Sequence, residues 1–233
     1  MNNSKELLYL TVKWSIVLQI VTGIFQVGGL FFPLEKEDLM LKDILWIETI
    51  SQVIELIFYI YIATFIVSLN LDSVTPRRYF DWVLSTPIMI ISTIMYMKYT
   101  DLKENNKEEL ENNRTLDFVK NNYINILKLV LYNAGMLFFG YLGETNVLSK
   151  FISFPIGFYF FFSTFDIIYK DYAYTTTSTL SNKILFNYMF FVWFLYGIAA
   201  FFPILLKNIS YNILDLFSKN FYGLFIFYKI FTI

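Results

Sequence analysis

Apolar runs long enough to cross a lipid bilayer follow one another seven times along this chain, at about 7–32, 41–68, 77–97, 122–142, 149–169, 183–206 and 211–231. A run of roughly 20 apolar residues rises about 30 Å as a helix, the thickness of the hydrocarbon core. Hydrocarbon offers no partner to a bare peptide group, so each run must satisfy its own backbone as an α-helix. The expectation is an all-α bundle of seven transmembrane helices, a single domain over residues 1–233, with the two ends of the chain on opposite sides of the membrane. Charged residues are only 16% of the chain, against roughly a quarter in soluble domains. The first run is too long for a signal peptide and lacks a small-residue cleavage site, so it reads as a retained helix.

Cysteine and histidine are both absent, which removes disulfides, thiolate chemistry and the usual soft metal ligands; no resident metal is expected. A net charge of −1 provides no basic surface for nucleic acid. No repeat, linker or soluble domain stands outside the bundle, and no enzyme is expected. Lys and Arg in the connections divide ten against five. Lys36, Lys98, Lys103 and Arg114 belong to the richer side, Lys5, Arg77, Lys150 and Lys207 to the poorer, so the bias expects an external N-terminus and a cytoplasmic C-terminus. The longest break, 98–121, carries charges at i,i+3 and i,i+4 spacing that extend a helix beyond the bilayer, and otherwise reads as a solvated loop rather than a docking surface.

Four of the charges inside the runs fall in two groups. Arg78, Asp81 and Ser85 are three and four residues apart, on one face of the third helix, and Asp215 and Lys219 are one turn apart on the seventh. A charged side chain at the centre of a membrane helix costs roughly 2.5–3.5 kcal/mol, so two carboxylates with two cations make a neutral cluster that offsets the cost. Such a network could simply tie two helices together. Apolar packing does that at equal or better stability, which favours a functional site.

The string Arg78-Tyr79-x-Asp81-Trp82-x-x-Ser85-Thr86-Pro87, followed by Asp215-x-x-x-Lys219, resembles the microbial rhodopsins in both helix and order. The resemblance implies all-trans retinal bound covalently to Lys219 as a Schiff base, with Asp81 and Asp215 as its counterions and Arg78 and Ser85 in the same proton-transfer cluster. It further implies that Trp82 and Trp193 sandwich the chromophore, that Tyr196 hydrogen-bonds Asp215, and that Thr86, Met89 and Met136 line the pocket. Gly197 and Ala200 stand where bacteriorhodopsin-like pumps have a proline and a second tryptophan, which loosens that side. Ser92 stands where outward pumps place a carboxylic proton donor, and 197–214 carries no Asp or Glu for proton release.

Two polar stripes remain. Thr11, Ser15, Gln19, Thr22 and Gln26 follow one face of the first helix; Glu48, Gln52, Glu55 and Tyr59 follow one face of the second, with Ser51 alongside. Stripes of this kind also serve as hydrogen-bonded helix contacts. A mid-span carboxylate such as Glu55, however, needs water, a cation or a partner, and glutamates lining a pore select cations. Glu48, Glu55 and Asn220 further resemble the channel-forming rhodopsins of giant viruses, which implies constrictions at these residues and residence in a host-cell membrane. The green-algal channelrhodopsins are less similar, their gate cysteine and its aspartate partner being Thr86 and Asn133 here.

The leading expectation is a light-gated cation channel whose ion pathway includes Gln19, Glu48, Gln52, Glu55, Ser92 and Asn220. The alternative is an outward proton pump reprotonated from Glu48 or water, and a third reading is a photosensor acting through 98–121. Membrane lipid and the transported cations or protons are the expected partners, and a homo-oligomer is left open.

Overall fold

The computed structural model describes residues 3–65, 71–112 and 115–233; Arg114 and the end of the second apolar run at 66–68 lie outside them. The described residues are helical, with no strand among them. The helices are α1 (Asn3–Gly29), α2 (Leu39–Phe65), α3 (Val74–Asn105), α4 (Lys107–Asn112), α5 (Thr115–Asn121), α6 (Tyr123–Glu144), α7 (Lys150–Ile168), α8 (Leu180–Ala199), α9 (Ile204–Asp215) and α10 (Tyr222–Phe231). A π-helical segment, Leu216–Phe221, joins α9 to α10 into one continuous rod, and another, Tyr169–Ala173, extends α7. The long rods contact each other in chain order, and the last packs back on α1 and α2 to close the bundle.

Among the described residues, five helices are long and apolar enough to cross a membrane, including Lys36–Thr64 and Leu71–Asn105. The last rod is more polar because Lys207, Asn208, Asn212, Asp215, Lys219 and Asn220 all lie on it, and these side chains are buried. The bundle is inverted relative to a soluble protein. Trp14, Ile24, Ile57, Phe80 and Phe151 are exposed, whereas Glu55, Arg78, Asp81, Asp215 and Lys219 are each at most 3% exposed. An apolar exterior around a charged interior is stable only with lipid as the solvent, so the chain is an integral membrane protein.

Two boundaries and one connecting stretch depart furthest from the sequence expectation. The sixth run stops at Ala199, not 206, and the last rod begins at Ile204 rather than 211. Pro203 is the cause: it cannot continue a helix but caps the next one. The stretch 98–121 is also less free than a solvated loop. α3 runs on to Asn105, and the charges of α4 face outward, but Leu110 and Phe118 are buried and the chain is tied down. Lys103 Nζ donates to Asp38 at 2.5 Å and Glu37 at 2.8 Å, and Thr115 donates to Asp43 at 2.6 Å. The i,i+4 charge pattern disclosed helix there but not the two apolar anchors between the charges.

Candidate functional site

α3 and the last rod meet in two ion pairs. Lys219 Nζ lies 2.6 Å from Asp81 Oδ2, and Arg78 Nη1 lies 3.2 Å from Asp215 Oδ2, all four side chains fully buried. Two cations facing two carboxylates leave the cluster formally neutral, which a low-dielectric interior demands. Asp215 also accepts hydrogen bonds from Tyr59 and Tyr196, each at 2.7 Å. The Arg78 guanidinium donates to the Asn212 side chain and to Asn208 Oδ1 at 3.3 Å. Lys219 falls within the π-helical segment, a widening of the helix common at functional positions. Pro87 removes a backbone donor inside α3, and the hydroxyls of Ser85 and Thr86 beside it donate to the carbonyls of Asp81 and Trp82 at 3.0 and 2.7 Å.

A cavity opens beside Lys219. Trp82, Thr86, Met89, Met136, Trp193 and Tyr196 all line it, as do Gly197 and Ala200. Trp82 is held in edge contacts by Tyr79, Tyr196 and Tyr211 at 5.0–5.5 Å, and Trp193 by Phe165 at 5.8 Å. Both indole N–H groups lack a hydrogen-bond partner among the described residues. A buried indole usually finds one, so two of them beside the cavity fit an apolar occupant better than a polar one. A mostly apolar cavity with an amine on its wall suits retinal, an apolar polyene ending in an aldehyde. Asn133 donates to Thr86 at 2.8 Å, tying α6 to α3 at the wall. The side expected to be loose is filled in part by Phe158, whose ring lies 2.4 Å from where a Cβ on Gly197 would stand.

The two polar stripes face each other across α1 and α2, beside the last rod. Gln19 Nε2 donates to Glu55 Oε1 and Asn220 Nδ2 to Glu55 Oε2, both at 3.1 Å. Thr22 donates to Asn220 at 2.8 Å, Gln52 Nε2 to Thr22 Oγ1 at 2.8 Å, and Gln26 to Gln52. Each is at most 4% exposed, so the contact is direct and closed. Tyr59 leaves the stripe to bind Asp215 instead. Ser92, on α3, donates to Glu48, which sets a carboxylate from α2 against position 92.

Asn208, Asn212 and Tyr211 were not singled out from the sequence. Asn208, Asn212, Asp215 and Lys219 recur at spacings of 4, 3 and 4, so the signal was present as a third polar stripe. Phe158 carried no signal among 27 phenylalanines.

Comparison with known proteins gives the family. No curated protein sequence matches the chain. Among solved structures it is similar to viral rhodopsin OLPVRII, at 26% identity and a TM-score of 0.80 over 95% of this chain and 96% of that one. The proton-pumping rhodopsin AR2 from the marine alga Acetabularia acetabulum shares the fold at 19% identity, with a TM-score of 0.71 over 100% and 98%. Xanthorhodopsin, a light-driven ion pump with dual chromophore, shares it at 17% identity and 0.70 over 99% and 94%. A family model described as bacteriorhodopsin-like protein matches residues 12–233, nearly the whole chain. The chain therefore belongs to the bacteriorhodopsin-like family of microbial rhodopsins.

Proposed function

We propose that this rhodopsin is a light-gated cation channel, with retinal held covalently at Lys219 Nζ. Bound there, retinal supplies light absorption and a change of shape beside the amine. The residues of the chain do the rest. Asp81, 2.6 Å from Nζ, neutralises the cation at that atom and accepts its proton, while Ser85 on the next turn holds the Asp81 backbone. Asp215 is fixed by Arg78, Tyr59 and Tyr196, so it acts as a stationary negative charge. Trp82, Trp193, Thr86, Met89 and Met136 shape the cavity and keep water from it.

The observation that carries the channel reading is the buried polar seam of Gln19, Glu55, Gln52 and Asn220, with Glu48 and Ser92 further along it. Two carboxylates on one seam, neither within ion-pair distance of a cation among the described residues, attract a cation once the seam hydrates. Asn220 follows Lys219 directly in the chain, so displacement at Lys219 acts on the contact that shuts the seam. Likeness to viral rhodopsin OLPVRII supports placing the protein among viral rhodopsins, hence in a host-cell membrane, N-terminus outside. Whole-cell recording under light tests the reading: the photocurrent reverses with the imposed cation gradient. A current that keeps one direction at every gradient refutes it.

One observation favours outward proton pumping instead. Ser92 is bonded to Glu48, so a carboxylate supplied by α2 stands where pumps carry a donor on the third helix. A light-driven, uncoupler-sensitive acidification of the medium with no reversing current establishes this second reading.

A further inference from the structure

A buried charge cluster lies at the opposite end of the bundle from Lys103, and the two ion pairs at Lys219 do not include it. Lys207 Nζ donates to both oxygens of Glu144, at 2.8 and 2.9 Å, and both side chains are 4% exposed. Lys150 Nζ stands 3.6 Å from the same carboxylate and is 39% exposed. Each of the three sits where the helix dipole opposes its charge. Glu144 is the last residue of α6, Lys150 the first of α7, and Lys207 lies in the first turn of α9. An anion at a helix C-terminus and cations at N-termini are each disfavoured by some tenths of a kcal/mol. Local helix stability therefore does not explain them, and a buried pair is no more stabilising than apolar side chains of the same size.

Its neighbours suggest what the cluster does. Asn208, the residue after Lys207, accepts from Arg78 through its side chain at 3.3 Å and its carbonyl at 3.4 Å. Tyr211, one turn further, packs against Trp82 at 5.1 Å and lies 5.8 Å beneath the Arg78 guanidinium. The first turns of α9 thus have Arg78 on one side and Glu144 on the other. Lys207 is thus a buried cation one residue from the Asn208 that binds Arg78, and Glu144 is its ion-pair partner. We infer that the Glu144–Lys207 pair, with Lys150, is the outer charge filter of the translocation path: Glu144 lets cations pass Lys207. This rests on the ion-translocating reading above and names a specificity determinant for it.

Charge arithmetic makes the test sharp. The cluster carries +1 as it stands, +2 in Glu144→Gln, zero in Lys207→Gln, and +1 again in the double variant and in the exchanged pair Glu144→Lys/Lys207→Glu. Light-driven current per unit of visible absorbance is measured for all five proteins in whole cells. Glu144→Gln is expected to lower cation current on the order of tenfold, and Lys207→Gln to raise it, from one unit charge beside a low-dielectric path. The double and exchanged variants return toward the parent value. If the two single variants change the current in the same direction, or leave it unchanged, the pair only holds helices together and the inference is overturned. A parent current that never reverses overturns the channel reading alone, and the same order of variants is then read on the one-way current.

Discussion

Tyr59→Phe measures how strongly the interior of this bundle is organised by charge. The substitution keeps the ring, which lies 5.6 Å from the Arg78 guanidinium, and removes only the hydroxyl, which donates to Asp215 Oδ2 at 2.7 Å and accepts from Arg78 Nη1 at 3.4 Å. Two magnitudes compete. A neutral hydrogen bond between membrane helices is worth about 0.6 kcal/mol on average, because the alternative states in the bilayer also find partners. A bond to a charged group is worth about 1.5–3 kcal/mol. Asp215 is ion-paired with Arg78 at 3.2 Å and completely buried, so the larger figure applies. For a chain of this length it corresponds to a loss of roughly 3–12 °C in melting temperature. Asp215→Asn strands Arg78 and costs about 3–5 kcal/mol by itself, so the pairwise term needs a double-mutant cycle of Tyr59→Phe with Asp215→Asn. The assay is loss of the visible band on heating in detergent, for the parent, both single variants and the double. A coupling energy of about 0.6 kcal/mol or less refutes the reasoning, since the Tyr59 bond is then not charge-assisted.

Three further outcomes follow from the same geometry. Lys219→Ala removes the only amine on the cavity wall, and the visible band disappears on reconstitution with retinal; a band that survives disproves the attachment site. Asp81→Asn takes away the carboxylate 2.6 Å from Nζ and moves the absorption maximum to the red, whereas an unmoved spectrum assigns the main counterion role to Asp215. Gly197→Ala places a methyl 2.4 Å from the Phe158 ring, forcing that ring toward the cavity at an overpacking cost of about 1–3 kcal/mol. Slower uptake of retinal than in the parent, timed by the rise of the visible band, is the expected result; unchanged uptake shows that Phe158 has room to retreat elsewhere.

Much of this was legible in the sequence because the protein is inverted. In a soluble chain polar residues are the background and reveal little; among apolar helices each one is an exception with a cost, so its position carries meaning. Arg78, Asp81, Asp215 and Lys219 could be read that way, and so could the facing stripes of α1 and α2. Periodicity names the face of a helix but not the partner across the gap. Tyr59 shares a stripe with Glu55 yet turns to Asp215, and Ser92, expected to stand in place of a proton donor, instead contacts a carboxylate from α2. Residues at helix ends are harder still. Glu144 and Lys150 flank a turn, where a single charge reads as part of a solvated connection, and only the ion pair from Lys207 on α9 shows that the Glu144 carboxylate is buried. The aromatic wall was the least legible of all: with 27 Phe and 18 Tyr, the ring that reaches Gly197 looks like any other. In a membrane bundle, then, sequence locates a site through its scarce charges, whereas the shape of the cavity around it depends on which of many similar rings turn inward, and packing alone decides that.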